Sequence, residues 1–270
     1  MEYSNLEAFE SVKNNGNFYL IRKGYQDIIP KKIKDNPAGK TAQGRGNYNI
    51  IKLDEKTSAV IRKYKRGGLS GIFLPDIFWG DTRAIKELLM TEKALESEVP
   101  VPKILGIIIK PFFGPLCQLW IITRQIEAPT LAEYIVSLKN THSPEELLAK
   151  KINMVKIIIA SVRKLDQIGI QHRDLHIRNI LIGLNRAYII DFDGAKKSKN
   201  ELAAFNILIR LNRSISKYLG NSVISASDRL RLLKMYFDAD YFNANKKVMV
   251  NRCLKNLRWH QIWWVITGQK

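Results

Sequence analysis

The sequence predicts an α+β protein of two lobes, in which a small antiparallel β-sheet with one helix precedes a mainly helical half. Two observations support this prediction. Short runs of alternating or β-branched residues are concentrated in the first half of the chain, and long stretches with helical periodicity in the second. The two patterns exchange near residues 125–130, so we place the lobes at residues 1–126 and 127–270.

The first predicted elements are a loop and a hairpin. Residues 31–46 are rich in Lys, Gly, Pro and Asn, a composition typical of a loop. Residues 48–53 and 58–64 have the pattern of two strands joined by a short polar turn. We therefore expect an antiparallel hairpin to follow the loop.

A single helix and two further strands complete the predicted first lobe. Asp81 or Thr82 can cap a helix that ends before Pro100 and whose apolar stripe consists of Ile85, Leu88, Leu89 and Leu95. Strands are expected over residues 104–110 and 119–124, where apolar and β-branched residues dominate.

The second lobe has the clearest helix start in the chain. Ser143 is followed by Pro144 and two glutamates, which predicts a capping box with proline at the first helical position. Apolar residues then recur at helical spacing until Gly169, a natural helix stop. Short strands are expected over residues 180–182 and 187–190, and the remainder is predicted to be mostly helical.

Charge and cysteine content limit the possible partners. Lys and Arg number 44 against 25 Asp and Glu, a net charge of +19, which indicates an anionic partner. Two distant cysteines, Cys117 and Cys253, exclude a disulfide framework and a cysteine-rich zinc site. We find no nucleic-acid reading module, no secretory signal and no apolar stretch of membrane-spanning length.

The chemistry is concentrated in two short motifs, of which the first, at residues 172–179, reads HRDLHIRN and the second, at residues 191–194, reads DFDG. Phosphoryl transfer requires a carboxylate that accepts the proton of the acceptor hydroxyl, and Asp174 is suited to this role. Asn179 and Asp191 supply the hard oxygen ligands that Mg²⁺ prefers. His172 is expected to pack the loop rather than act as a base.

These motifs resemble the protein-kinase signature H-R-D-L-x-x-x-N followed by D-F-G, with D-F-D in place of the last triplet. The resemblance implies a bilobal protein-kinase-like fold that uses ATP and Mg²⁺. It also implies ATP near residues 125–127, including Gln125 and Ile126. On the phosphates it places Gly44, Gly46 and Arg62, with Glu87 orienting Arg62. Lys63 is the alternative to Arg62, and Glu92 is the alternative to Glu87.

Other segments resemble the Kdo kinases of lipopolysaccharide assembly. The likeness is found in three segments: residues 62–69 (RKYKRGGL), residues 189–193 (IIDFD), which resemble the family's I-D-F-D strand, and residues 210–217 (RLNRSISK). It extends over residues 44–217. The resemblance implies phosphorylation of a Kdo hydroxyl on a lipid A precursor, an anionic glycolipid, at the cytoplasmic face of the inner membrane. His176, Lys196 and Lys197 are the candidate substrate contacts.

Alternative functions and membrane contacts remain open at this stage. The acceptor could be a core heptose, a small molecule or a protein Ser/Thr, and an inactive membrane-bound pseudokinase scaffold is the alternative from another class. Residues 67–80 and an aromatic, basic segment at residues 252–266 are candidates for contact with an anionic membrane, and a place in the protein core is the alternative for both.

Overall fold

The computed structural model describes residues 6–35, 40–41, 48–66, 76–198, 202–219, 224–237, 240–245, 247–252 and 255. By proximity of Cα atoms, these residues form two compact units. The first contains the residues up to Lys93 together with Pro102–Glu127, and the second contains Ala94–Val101 and the residues from Ala128 onward.

The first unit is built on an eight-stranded antiparallel sheet. Its strands are β1 (Phe9–Asn14), β2 (Asn17–Arg22), β3 (Lys40–Thr41), β4 (Tyr48–Lys52), β5 (Ser58–Lys63), β6 (Phe78–Trp79), β7 (Ile104–Phe113) and β8 (Leu116–Arg124). Their order is β1-β2-β7-β8-β5-β4-β3, and β6 also pairs with β8. The predicted hairpin is confirmed as β4–β5, and the two later strands are longer than predicted.

Two helices accompany this sheet. Helix α2 (Thr82–Glu96) buries Ala84, Ile85 and Leu88 among sheet residues, and helix α1 (Ile28–Asp35) packs Ile29 into a second apolar cluster. The predicted helix is therefore confirmed, but its stripe was partly wrong: Leu89 is 41% exposed, whereas Glu87 lies on the buried face.

The predicted loop over residues 31–46 is wrong at its start and again at Lys40–Thr41, which form β3 and pair with β4. Residues 31–35 belong to α1, because Ile29 and Ile33 pack on the sheet and outweigh the loop-like composition of the segment. The β1–β2 hairpin was missed as well. Its turn is Asn15-Gly16, both with positive φ (49° and 75°), which is the turn chemistry that a two-residue hairpin favours.

The second unit is mainly helical. It contains α3 (Leu131–Ser137), a 3₁₀ turn (Leu138–Asn140), α4 (Pro144–Gln167), α5 (Leu202–Leu219) and α6 (Ala226–Tyr236). Two small antiparallel pairs complete it: β10 (Ile180–Ile182) with β11 (Ala187–Ile189), and β9 (Ile170–Gln171) with β12 (Lys196–Lys197). None of the described helices is long and apolar enough to cross a membrane.

Helix α4 begins where the sequence predicted, but only half of the predicted capping box is present. The Ser143 hydroxyl accepts from the Glu146 amide at 3.2 Å, while the Glu146 carboxylate pairs with Lys150 instead of returning to Ser143. Reciprocal boxes occur at the starts of α3 (Thr130 with Glu133) and α6 (Ser225 with Asp228), where the sequence analysis had not placed them.

Candidate active site

The first unit holds a buried ion pair at the predicted phosphate-binding position. Arg62 Nη2 on β5 contacts Glu87 Oε1 at 2.7 Å and Oε2 at 2.8 Å. Glu87 is 5% exposed, and the Tyr64 hydroxyl donates to its Oε2 at 2.5 Å. The carboxylate thus fixes the guanidinium from the protein side, and the Arg62 side chain keeps 29% of its surface exposed.

The alternatives to this pair have other partners. Lys63, one residue further along β5 and therefore on the other face, forms an ion pair with Asp76. Glu92 pairs with Arg22, with 2.5 Å between Oε1 and Nη2. Of the residues considered from the sequence, the structure brings together Arg62 and Glu87.

The second unit holds the HRDLHIRN and DFDG motifs, joined through the backbone of Ile190. The Ile190 amide donates to the Asn179 carbonyl oxygen at 3.0 Å, and the Ile190 carbonyl oxygen lies 3.1 Å from His172 Nε2. Asp191, which follows Ile190, has a φ of 65°, a left-handed conformation that aspartate tolerates better than most side chains. Two hydrogen bonds on one residue therefore connect the HRDLHIRN loop to the end of β11.

His172 is buried and serves as a connector. A carbonyl oxygen can only accept, so the Nε2 atom of His172 is the protonated nitrogen, and Nδ1 accepts the Asp174 amide at 3.3 Å. Its ring also meets Phe192 edge-on at 5.2 Å between centroids. Burial lowers the pKa of His172, which keeps the ring neutral and agrees with the packing role expected from the sequence.

The Asp174 carboxylate points away from this packed frame. Its side chain is 73% exposed, and its nearest ionisable neighbour is His176, 3.8 Å from Oδ2 to Nε2, which is beyond hydrogen-bond distance. The His176 Nδ1 atom accepts from the Arg178 amide at 3.1 Å, and burial lowers the pKa of His176 despite the nearby carboxylates. An exposed carboxylate on a fixed backbone is suited to accept a proton from a bound hydroxyl.

A serine on α5, which sequence reasoning missed, is hydrogen-bonded to the backbone of the HRDLHIRN loop. The Ile177 amide donates to the Ser214 hydroxyl oxygen at 3.2 Å, and that hydroxyl donates to the Leu211 carbonyl oxygen at 2.8 Å. Arg178 also lies over the ring of Tyr218, with 4.6 Å to the centroid. The RLNRSISK segment had been identified only by its resemblance, and the contact to residues 174–179 gives it a structural role.

The donor set near Asn179 fits a magnesium ion. Asn179 Nδ2 donates to the Asp174 carbonyl oxygen at 2.9 Å, which leaves the amide oxygen as the atom suited to a cation, and the Asp191 carboxylate follows the residue bonded to Asn179. Within the described part of the chain, no cluster of three or more His, Cys, Asp and Glu side chains could hold a metal. One carboxylate and one amide are sufficient for Mg²⁺, because it usually keeps waters and takes further ligands from phosphates.

The remaining predicted site residues divide into two groups. Gln125 and Ile126 lie in an irregular, half-buried segment where the Gln125 amide donates to the Ser58 carbonyl oxygen at 2.8 Å, and Lys196 and Lys197 are exposed on β12 beside Gln171. Gly44, Gly46 and the membrane candidates at residues 67–75 and 256–266 lie outside the described residues. The roles given to all of these residues stay predictions.

Comparison with known proteins identifies the family. Residues 36–236 match the model of the lipopolysaccharide kinase (Kdo/WaaP) family. A 3-deoxy-D-manno-octulosonic acid kinase of Vibrio vulnificus (strain YJ016) is 30% identical over 182 residues, covering 66% of this chain and 72% of that protein. One from Haemophilus influenzae (strain 86-028NP) is 28% identical over 200 residues, with 70% and 79% covered.

A solved structure supports the same fold. WaaP in complex with acyl carrier protein matches with a TM-score of 0.60 at 13% identity, covering 89% of this chain and 98% of that one. The predicted kinase-like α+β fold is therefore confirmed. Because the family match spans most of the sequence, the chain belongs to the lipopolysaccharide kinase (Kdo/WaaP) family and is a phosphotransferase that acts on a sugar hydroxyl.

Proposed function

We propose that the protein transfers the γ-phosphoryl group of ATP, with Mg²⁺, to a hydroxyl of Kdo on a lipid A precursor at the cytoplasmic face of the inner membrane. The single observation that carries this proposal is the connection of the two catalytic motifs through Ile190. It holds Asn179 and Asp191 close together and leaves the Asp174 carboxylate exposed. Kdo as the acceptor is favoured by the relatives, which are named as kinases of that sugar.

Each residue has a defined part in this reaction. Asp174 accepts the proton as the acceptor oxygen forms its bond to the γ-phosphorus, and the bond from that phosphorus to the β-phosphate oxygen breaks to release ADP. Asn179 and Asp191 would hold Mg²⁺, which neutralises charge on the phosphates when bound. Arg62, held by Glu87, would bind phosphate oxygens.

The acceptor is expected to be anionic, and the second unit has cations near the catalytic loop. Lys196 and Lys197 are exposed on β12, which pairs with the residues just before His172. Burial and the neighbouring Arg210 lower the pKa of the Arg213 guanidinium on α5, while Asp174 lies near enough to act in the opposite direction. With His176, these side chains would contact the carboxylate of Kdo or a phosphate of the lipid.

The test is phosphate incorporation into a Kdo-bearing lipid A precursor, measured by mass spectrometry with ATP and Mg²⁺. We expect Asp174→Ala to lower kcat by about 10²–10⁴-fold with little change in ATP affinity. Its side chain is largely exposed, so the substitution should not disturb the fold. Asp240→Ala, another exposed aspartate of the second unit, is the matched control and should keep full activity.

Three results would change the proposal. A wild-type protein that binds ATP but does not modify the lipid would exclude this acceptor and direct the assay to core heptoses and small molecules. A wild-type protein that neither binds ATP nor modifies the lipid would indicate an inactive scaffold. Equal activity of Asp174→Ala and Asp240→Ala would exclude the base assigned to Asp174.

A further inference from the structure

One end of the first unit's sheet carries four exposed aromatic side chains, which we call the aromatic end. The exposed fractions are 40% for Phe18, 74% for Trp79, 62% for Phe112 and 79% for Phe113. Large aromatic side chains usually contribute to a protein core or an interface, and a group of them in water is unfavourable. The aromatic end is therefore a candidate interaction surface.

The sheet register brings these residues to the same end. Phe18 at the start of β2 pairs with Ile109 of β7. Further along, Phe113 of β7 and Trp79 of β6 both pair with Leu116, one from each side of β8. The four aromatic residues thus come from three neighbouring strand ends rather than from one loop.

The exposure follows from the way β7 and β8 extend. The pairing of β7 with β2 ends at Ile109, whereas β7 continues for four more residues, all of them exposed. The register shifts between Pro111 and Phe113, so Phe112 is an additional residue in the strand. Such a bulge re-aims side chains, and here it leaves two successive phenylalanines in water instead of one.

Cations surround the aromatic end. Lys13 lies over the Phe18 ring, 5.3 Å from its centroid, and Lys110 is exposed on β7 just before the phenylalanines. On the β6 side, Arg66 and Arg83 lie 5.3 Å and 5.0 Å from the ring of Phe78, next to Trp79 in the chain. The exposed Lys65 adds a further positive charge.

Two acidic residues, Asp76 and Asp81, lie close to the aromatic end, against the five cations at Lys13, Lys65, Arg66, Arg83 and Lys110. The Asp76 carboxylate pairs with Lys63 and accepts from Gln118 Nε2 at 2.9 Å. Asp81, at the start of α2, lies near this end, since burial and the Asp81 carboxylate together raise the pKa of Cys117, which pairs with Pro111 of β7. The aromatic end as a whole therefore presents apolar rings within a positive surround, in a chain whose net charge is +19.

We infer that the aromatic end docks the protein on an anionic phospholipid bilayer, with the β7–β8 tip inserted among the headgroups. Aromatic rings favour the interfacial layer of a membrane, and flanking lysines and arginines are attracted to anionic lipids. An acidic protein partner would satisfy the same charges and could also bury the rings, but the proposed lipid-linked acceptor favours the membrane over such a partner. The inference rests on the proposed action on a lipid-linked acceptor, which requires the enzyme to reach a membrane surface.

The test compares binding of variants to vesicles by co-sedimentation. Vesicles of phosphatidylethanolamine with phosphatidylglycerol supply anionic charge, and phosphatidylcholine vesicles do not. We expect the wild type to bind the anionic vesicles. The double variant Phe112→Ser/Phe113→Ser should bind them more weakly, by a factor of about ten or greater. Leu184→Ser is the matched control, because Leu184 is a 93% exposed apolar residue in the turn between β10 and β11 of the other unit.

Kinase assays separate this inference from the proposed function. The double variant should phosphorylate a deacylated, water-soluble Kdo saccharide at the wild-type rate and the vesicle-embedded acceptor more slowly. If the wild type bound no anionic vesicles, or if the double variant and Leu184→Ser bound them equally, the inference would be wrong. If neither acceptor were phosphorylated while vesicle binding behaved as expected, the proposed function would fail and the docking surface would stand.

Discussion

Replacing Glu87 by glutamine is expected to lower both the thermal stability of the first unit and the affinity of the protein for ATP. The substitution keeps the size of the side chain and removes its charge. Glu87 is 5% exposed and accepts hydrogen bonds from Arg62 and Tyr64 at 2.5–2.8 Å, so water cannot readily replace the lost interaction. The effect should therefore be measurable despite the small chemical change.

The magnitude follows from the difference between charged and neutral hydrogen bonds. A hydrogen bond to a charged group contributes about 1.5–3 kcal/mol and a neutral one about 0.5–1.5 kcal/mol. Glutamine can still accept from the Tyr64 hydroxyl, so we expect a loss of about 1–2 kcal/mol in the free energy of unfolding. For a chain of this size, that loss corresponds to a decrease in Tm of about 2–8 °C.

The kinetic effect should be larger than the thermal one. Without the Glu87 carboxylate, the Arg62 guanidinium is no longer held in one orientation, and its contact with phosphate oxygens weakens. A charge-assisted contact of about 1.5–3 kcal/mol corresponds to a decrease in kcat/KM for ATP of about 10- to 100-fold. We expect most of this decrease to appear in KM, because ground-state binding is lost as well.

The assays are a thermal melt without nucleotide and initial rates at varied ATP concentration. Glu96→Gln is the control, since Glu96 lies on the same helix, is exposed and loses the same charge. If both variants melted at the same temperature, the energetic argument for the ion pair would be wrong. If Glu87→Gln lowered Tm but left KM for ATP unchanged, the pair would be structural and the phosphate role of Arg62 would be excluded.

Three further predictions concern Arg62, Ser214 and His172. Arg62→Lys should keep ATP-dependent activity within about tenfold of wild type in initial-rate assays, because a single nitrogen, Nη2, contacts both oxygens of Glu87; Arg62→Met should lose far more. Ser214→Ala should lower kcat and also lower Tm by about 2–12 °C, because the buried Ile177 amide loses its acceptor at a cost of about 1–3 kcal/mol and the loop at residues 172–179 is held less firmly; an unchanged kcat would refute this. Burial lowers the pKa of His172 below its ordinary 6.5, so below pH 6.5 the unfolded chain binds a proton that the folded chain does not. Thermal melts should therefore show a constant contribution to Tm from this residue above pH 6.5 and a fall in Tm as the pH drops below 6.5. In His172→Asn, Tm should depend less steeply on pH over the same range.

The sequence indicated the candidate residues for the chemistry before their surroundings were known. The spacing of Asp174, Asn179 and Asp191, together with the resemblance to the protein-kinase signature, assigned them roles that stay predictions. For the ion pair, the sequence left two candidates for the cation, Arg62 and Lys63, and two for the carboxylate, Glu87 and Glu92. Choosing between them required knowing which face of β5 and of α2 turns inward. Apolarity correctly placed Ile85 and Leu88 on the buried face of α2 but was misleading at Leu89, which is exposed.

The sequence analysis missed one feature that has a local signal and one that has none. The β1–β2 hairpin had a usable local signal in Asn15-Gly16, although its first strand is polar at most positions and gives little apolar alternation. The support of the catalytic loop by Ser214 had no such signal, because the bond joins residues 37 positions apart. Local patterns reveal which residues are capable of chemistry, and tertiary contacts decide what holds them in place.

The catalytic loop combines a fixed backbone with a free reactive group, and this combination has a physical reason. His172 holds Ile190 and Asp174 from one side, Asn179 closes the loop through the Asp174 carbonyl, and Ser214 supports it from α5. All of these bonds engage main-chain atoms, at Asp174, Ile177 and Ile190, so the Asp174 carboxylate can be exposed while its backbone stays fixed. Preorganisation of this kind lowers the cost of orienting the acceptor hydroxyl. It follows that variants of the supporting residues should change turnover more than they change nucleotide binding.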